Sequence, residues 1–268
     1  MSDLLANTFK AGLAGYQTLF GFWQALGCAT TAEISATAGF DWLLFDGEHG
    51  PNDIPLLLSQ LQAVSAYQVH AVARPPANDA RLIKQYLDIG FQTLLVPFIE
   101  TPEQAAILVT ATRYPPAGVR GLASGIVRAS RWNAIPHYIR RADAEICVLA
   151  QIESRTGLDN ITAIARVSGI DGIFIGPSDL SAALGYPGEP SHPDVLKAIE
   201  SAIAAVRAAG KPVGILAADP ALARRYVGLG CRFVAVGTDA GLFASGVRRL
   251  ANEIKSAPVA TQQSAAAY

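Results

Sequence analysis

Short apolar runs rich in β-branched residues alternate along this chain with stretches of helical period. Eight runs read as strands: Thr18–Trp23, Trp42–Asp46, Val69–Arg74, Thr93–Pro97, Glu145–Ile152, Gly172–Gly176, Pro212–Leu216 and Arg232–Gly237. Between most of them, apolar residues recur at three- and four-residue steps, as in Leu56–Val64 and Val195–Val206. The second of these stops at Ala209-Gly210, a normal helix end. Strands separated by helices pair in parallel. Eight of them in 268 residues predict a single-domain α/β fold, a (β/α)8 TIM barrel, for which about 250 residues is typical. No Gly-x-Gly-x-x-Gly turn follows the first strand, which argues against a dinucleotide-binding open sheet. The barrel is expected over residues 1–256. Residues 257–268, which have no apolar period, are expected to be a disordered tail.

The polar residues gather at one end of these strands. In a parallel barrel the chemistry sits where the strands finish. The second run ends in Phe45-Asp46-Gly47-Glu48-His49-Gly50, the third in Arg74-Pro75-Pro76, the fifth in Gln151-Ile152-Glu153, and the sixth in Gly176-Pro177-Ser178-Asp179. Glu153 and Asp179 follow neighbouring strands, and two carboxylates there suit a hard divalent cation bound through oxygen. Each acid alone also reads as a helix cap or an ion-pair partner. Arg74 alone could pair with Asp46 or Glu48. A 2-keto acid would chelate such an ion through a carboxylate and a keto oxygen, and the ion would then favour an enolate. Arg74 is placed to donate to the same oxygen. Histidine is the usual acid/base residue of enzymes working near neutral pH, so His49 suits acid/base work. Backbone N–H groups at Pro177–Leu180 could meet a carboxylate. His70, His137 and His192 read as structural.

Composition narrows the alternatives. The net charge is −1 and basic residues are scattered, which argues against nucleic acid as a partner. Neither a signal peptide nor an apolar stretch long enough for a bilayer is evident, so no membrane association and a cytoplasmic location are expected. The three cysteines, Cys28, Cys147 and Cys231, are far apart and read as free thiols. Hydrophobic residues reach 51% against 16% charged, enough for a large core and for surface covered by other subunits. A Schiff-base aldolase needs a desolvated lysine inside the barrel. Lys10, Lys84, Lys197, Lys211 and Lys255 all fall elsewhere on this reading.

Five motifs together resemble the HpcH/HpaI family of metal-dependent class II pyruvate aldolases, in its 4-hydroxy-2-oxoheptanedioate and 2-dehydro-3-deoxyglucarate branches. They are Phe45-Asp-Gly-Glu-His-Gly50, Ala73-Arg-Pro-Pro76, Tyr114-Pro-Pro-Ala-Gly-Val-Arg-Gly121, Gln151-Ile-Glu153 and Gly176-Pro-Ser-Asp-Leu-Ser181, and the likeness runs from about Phe20 to Ala251. The resemblance implies that Glu153 and Asp179 bind magnesium, manganese or cobalt. It implies that His49 handles the C4-hydroxyl proton, that Arg74 stabilises the pyruvate enolate, and that Gln151 and Ser178 contact substrate or metal-bound water. The family commonly has alanine at the Ser178 position. Asp88 matches an aspartate that raises the basicity of the histidine. Asp88 precedes the fourth strand, so that role would require it to reach His49 of a neighbouring subunit.

The resemblance further implies a trimer or hexamer, often with an exchanged C-terminal helix, and a place in aromatic or sugar-acid catabolism. Its reaction is reversible cleavage of a 4-hydroxy-2-keto acid to pyruvate and an aldehyde through a metal-stabilised enolate. Residues 119–127, Trp23 and Leu216 are candidates for shaping the aldehyde pocket, with Trp23 equally readable as core. The rival readings are an acyl-CoA lyase of the citramalyl- or malyl-CoA branch and a non-catalytic pyruvate-binding barrel. A phosphotransferase acting on phosphoenolpyruvate is weaker, because no phosphate-cradling Gly-rich loop with lysine occurs.

Overall fold

The computed structural model describes residues 5–15 and 17–256. The tail expected over 257–268 lies outside the described residues. Eight strands are formed: β1 Leu19–Gln24, β2 Trp42–Asp46, β3 His70–Arg74, β4 Thr93–Val96, β5 Cys147–Ile152, β6 Gly172–Ile175, β7 Val213–Leu216 and β8 Phe233–Thr238. Each pairs in parallel with the next, and β8 pairs with β1, closing the barrel. The single-domain TIM barrel read from the alternation is therefore the fold. The clearest departure is Glu145. It ends the helix Tyr138–Glu145 instead of opening β5, and its carboxylate accepts from the Asn7 backbone N–H at 2.7 Å.

Period-two alternation sorts the side chains into two layers. Trp23, Trp42, Leu44, Val72, Leu95, Leu149, Phe174 and Phe233 fill the barrel interior. Their neighbours Phe22, Leu43, Phe45, Ala73, Ile152 and Ile175 pack outward under the helices. By the same count Asp46, Arg74, Gln151 and Glu153 point inward at the upper end. The lower end is plugged by the helix Thr8–Leu13, whose Phe9 meets Trp42 and Phe233 edge-on and stacks on His70. His70 Nε2 lies 2.8 Å from Thr93 Oγ1, and burial pulls its pKa down to about 4. It is a neutral packing residue.

Helices begin where a side chain caps them. Asp53, Asp79, Thr101, Ser154 and Asp219 each accept a backbone N–H from the first turn that follows. None of the five lysines lies in the barrel interior. Lys10 and Lys211 serve the lower end, where they donate to the carbonyls of Ile146 and Ile170. Cys147 and Cys231 are buried free thiols, and Cys28 is also free. Among the described residues no helix is long and apolar enough to cross a membrane.

Candidate active site

Asp46, the last residue of β2, organises one side of the mouth. Its Oδ1 accepts from Arg74 Nε at 3.0 Å and from the backbone N–H groups of Glu48 and His49 at 3.0 and 3.2 Å. Its Oδ2 accepts from Arg74 Nη2 at 2.7 Å and from Trp23 Nε1 at 3.1 Å. Burial alone would raise this carboxyl. The hydrogen bonds and charge of Arg74, aided by Trp23, outweigh it and hold Asp46 below the usual carboxylate range.

Arg74 is thereby fixed at the end of β3. Asp46 grips it on two nitrogens, its Nη1 lies 2.7 Å from Glu48 Oε2, and its guanidinium sits over the Trp23 ring at 4.9 Å. A guanidinium carries five N–H groups, so this grip still leaves donors for a ligand. Trp23 is 5% exposed and lies in the interior beneath Arg74, not on an open pocket wall. Leu216, closing β7, is half-buried.

Glu153 forms the opposite side. Its Oε1 accepts from the Phe98 backbone N–H at 2.9 Å, and its Oε2 accepts from Gln151 Nε2. The carbonyl oxygen of that amide, Gln151 Oε1, is buried without a partner. It is an acceptor facing whatever occupies the mouth. Glycine is required at 176, because a Cβ there would strike both Glu153 Oε2 and Gln151 Nε2. Burial raises the Glu153 carboxyl to about 7; its two neutral donors oppose this, and the charges of Glu48 and Asp179 add to it. Glu48 is raised as well, by burial first, with Arg74 and His49 opposing and Asp46 and Asp179 adding.

Asp179 lies in the first turn of the helix Pro177–Ala183, and Ser178 precedes it where backbone N–H groups lack intrahelical acceptors. His49 is the solvent-facing member, with its side chain 62% exposed and Nε2 3.7 Å from Glu48 Oε2. Asp88 is not brought to this mouth within the chain. It sits near the end of the helix Ala80–Ile89 and accepts from Arg120 Nη2 at 2.9 Å.

This donor set fits a divalent cation. The charges of Glu48 and Asp179 add to the burial that raises the Glu153 carboxyl, and Glu153 has only neutral partners. No group of three or more His, Cys, Asp or Glu with metal-holding geometry occurs among the described residues. A site built on Glu153 and Asp179 would leave most positions of an octahedral ion to water and a chelating ligand.

Residues 19–246 match the sequence pattern of the HpcH/HpaI aldolase/citrate lyase family. The chain belongs to the HpcH/HpaI aldolase/citrate lyase family. The chain is 58% identical to a hydroxypyruvate/pyruvate aldolase of Deinococcus radiodurans, over 94% of this chain and 91% of that one. It is 52% identical to a 4-hydroxy-2-oxo-heptane-1,7-dioate aldolase of Salmonella heidelberg, over 92% and 94%. Its fold superposes on the crystal structure of an HpcH/HpaI aldolase/citrate lyase family protein from Burkholderia cenocepacia with a TM-score of 0.90 at 41% identity, covering 94% of this chain and all of that one.

Within this HpcH/HpaI barrel, two contributors are not evident from sequence patterning alone. Asp46 reads there only as an ion-pair partner, although its place on an inward-facing strand end is a usable signal. Phe98 leaves no signal, because it acts through its backbone N–H.

Two tests follow from this geometry. Asp46→Ala leaves a buried guanidinium without its main partner. It is expected to lower unfolding stability by about 3–5 kcal/mol, read by urea denaturation. In metal-free protein, the Glu153 pKa of about 7 exceeds the ordinary value. The native state therefore binds a proton that the unfolded state lacks, and stability falls as pH rises between roughly 4.5 and 7, by about 3 kcal/mol in all. Denaturation midpoints in EDTA should show this slope, and Glu153→Gln should flatten it.

Proposed function

We propose that this mouth carries out reversible aldol cleavage of 4-hydroxy-2-keto acids to pyruvate and an aldehyde, with Glu153 and Asp179 holding magnesium, manganese or cobalt. The chain is a class II pyruvate aldolase, a carbon–carbon lyase, by its family and its close relatives. Hydroxypyruvate is a further candidate nucleophile, since relatives at 58% and 53% identity carry that name. The observation carrying the residue assignments is that buried Glu153, with Asp179 following the neighbouring strand, shares one barrel mouth with an immobilised guanidinium.

When bound, the cation supplies Lewis acidity toward the keto oxygen of the substrate. Arg74, already immobilised by Asp46 and Glu48, directs its remaining N–H groups to that oxygen, where negative charge develops. In the cleavage direction His49 removes the C4-hydroxyl proton, directly or through one water. The C3–C4 bond then breaks, its electron pair passes to the pyruvate fragment as the enolate, and the aldehyde leaves. Protonation at C3 completes pyruvate. Gln151 Oε1 and Ser178 are assigned to substrate or water. Leu216 and residues 119–127 are assigned to the aldehyde side.

The working unit is proposed to be a trimer or hexamer of this chain. The helix Asp239–Ser256 supports this, because Leu242, Phe243, Val247, Leu250 and Ile254 stand 52–70% exposed on it. A face of this kind marks a protein-binding surface, here one for exchange with a second copy. Asp88 is proposed to reach His49 of that copy, its tie to Arg120 holding it in place.

Glu153→Ala and Asp179→Ala are each expected to abolish metal-dependent cleavage while the circular dichroism spectrum stays native. Metal-independent activity of a chelated variant would remove the assignment. Arg74→Ala should slow exchange of pyruvate C3 protons in deuterated water by at least about a hundredfold, the effect of losing one oxyanion donor. Charging the open helix with Leu242→Asp and Phe243→Asp should reduce the native mass to a monomer by light scattering.

A further inference from the structure

Phe98 is a bulky residue held in the left-handed region, with φ at +52°. Such a conformation is an outlier for an aromatic side chain and has to be maintained by its surroundings. The ring does not maintain it, for Phe98 is 49% exposed. The return lies in the backbone. Phe98 N–H donates to Glu153 Oε1 at 2.9 Å, and the next amide, Ile99 N–H, donates to the Gln151 carbonyl at 3.1 Å. Ile99 itself is buried in the layer under the helices. Both contacts reach the end of β5, one strand away. Gln151 Nε2 holds the second oxygen of the same carboxylate, and Gly176 leaves the space it occupies. Both oxygens of Glu153 are thus held by neutral donors before any ligand arrives.

We infer that Phe98 is a positioning residue: its left-handed backbone aims an amide at Glu153 and sets the carboxylate in the orientation used to bind the cation. This rests on the proposed role of Glu153 as a ligand. The backbone conformation carries the effect, so tolerance of positive φ, not ring size, should order the variants. Glycine adopts this region freely and asparagine readily, alanine does so no worse than phenylalanine, and a β-branched residue does so worst.

The test is the affinity for Mn2+ alone, followed by the electron paramagnetic resonance signal of the free ion, in Phe98→Gly, Phe98→Asn, Phe98→Ala, Phe98→Val and Glu153→Gln proteins. Phe98→Gly and Phe98→Asn should stay within about threefold of the parent. Phe98→Val should bind at least about tenfold more weakly, the value of one hydrogen bond to a charged group. Phe98→Ala should also stay near the parent, and Phe98→Thr replaces Phe98→Val in the comparison if the valine protein does not fold. Equal affinities across the series would overturn the inference, as would a loss that followed removal of the ring in every variant. Parent-like Mn2+ binding by Glu153→Gln would instead overturn the ligand assignment beneath it, so the two failures are distinct.

Discussion

Excess negative charge on the buried side chains of the barrel mouth is the constraint on which the rest of the structure depends. Four carboxylates end or follow strands there: Asp46, Glu48, Glu153 and Asp179. Arg74 is tied to Asp46 and Glu48, so its charge is already shared. Burial then makes ionised Glu153 unfavourable, and its pKa moves up to about 7. A hydrophobic core of this quality supports such an arrangement only if something returns the electrostatic energy. A divalent cation would do so directly, and a chelating keto acid would complete its coordination.

The cradle around Arg74 shows how fold becomes chemistry. A free arginine would lose conformational entropy on meeting its substrate. This one is held in advance by two carboxylate oxygens, a glutamate and an indole face. Preorganised donors of that kind need little rearrangement when charge develops, which is the main source of electrostatic catalysis. Asp46 also takes the backbone N–H groups of Glu48 and His49. One carboxylate therefore sets the course of the loop that carries His49.

Much of this was legible in the sequence because two periodicities do most of the work. Alternation between strand and helix patterns gave the barrel, and the gathering of polar residues at strand ends singled out Arg74, Gln151 and Glu153. Strand limits slipped by a residue or two where capping or a neighbouring helix competed, as Glu145 did. What was hidden acts without a side-chain signature. A glycine at position 98 would have announced a left-handed turn, whereas phenylalanine conceals one. Trp23 was ambiguous because an indole serves both as wall and as core; its place beneath Arg74 depends on register with Asp46. The partner of Asp88 was invisible because Arg120 arrives from a long loop, 32 residues away in sequence.

The central claim is that Glu153 and Asp179 together hold the ion that a keto acid chelates. Electron–nuclear double resonance on the Mn2+-loaded protein with pyruvate labelled by 13C at C1 and C2 tests it most directly. Hyperfine coupling to both carbons is expected, together with its disappearance in Glu153→Gln and Asp179→Asn proteins. A manganese signal indifferent to pyruvate, or coupling that survived both substitutions, would contradict the account.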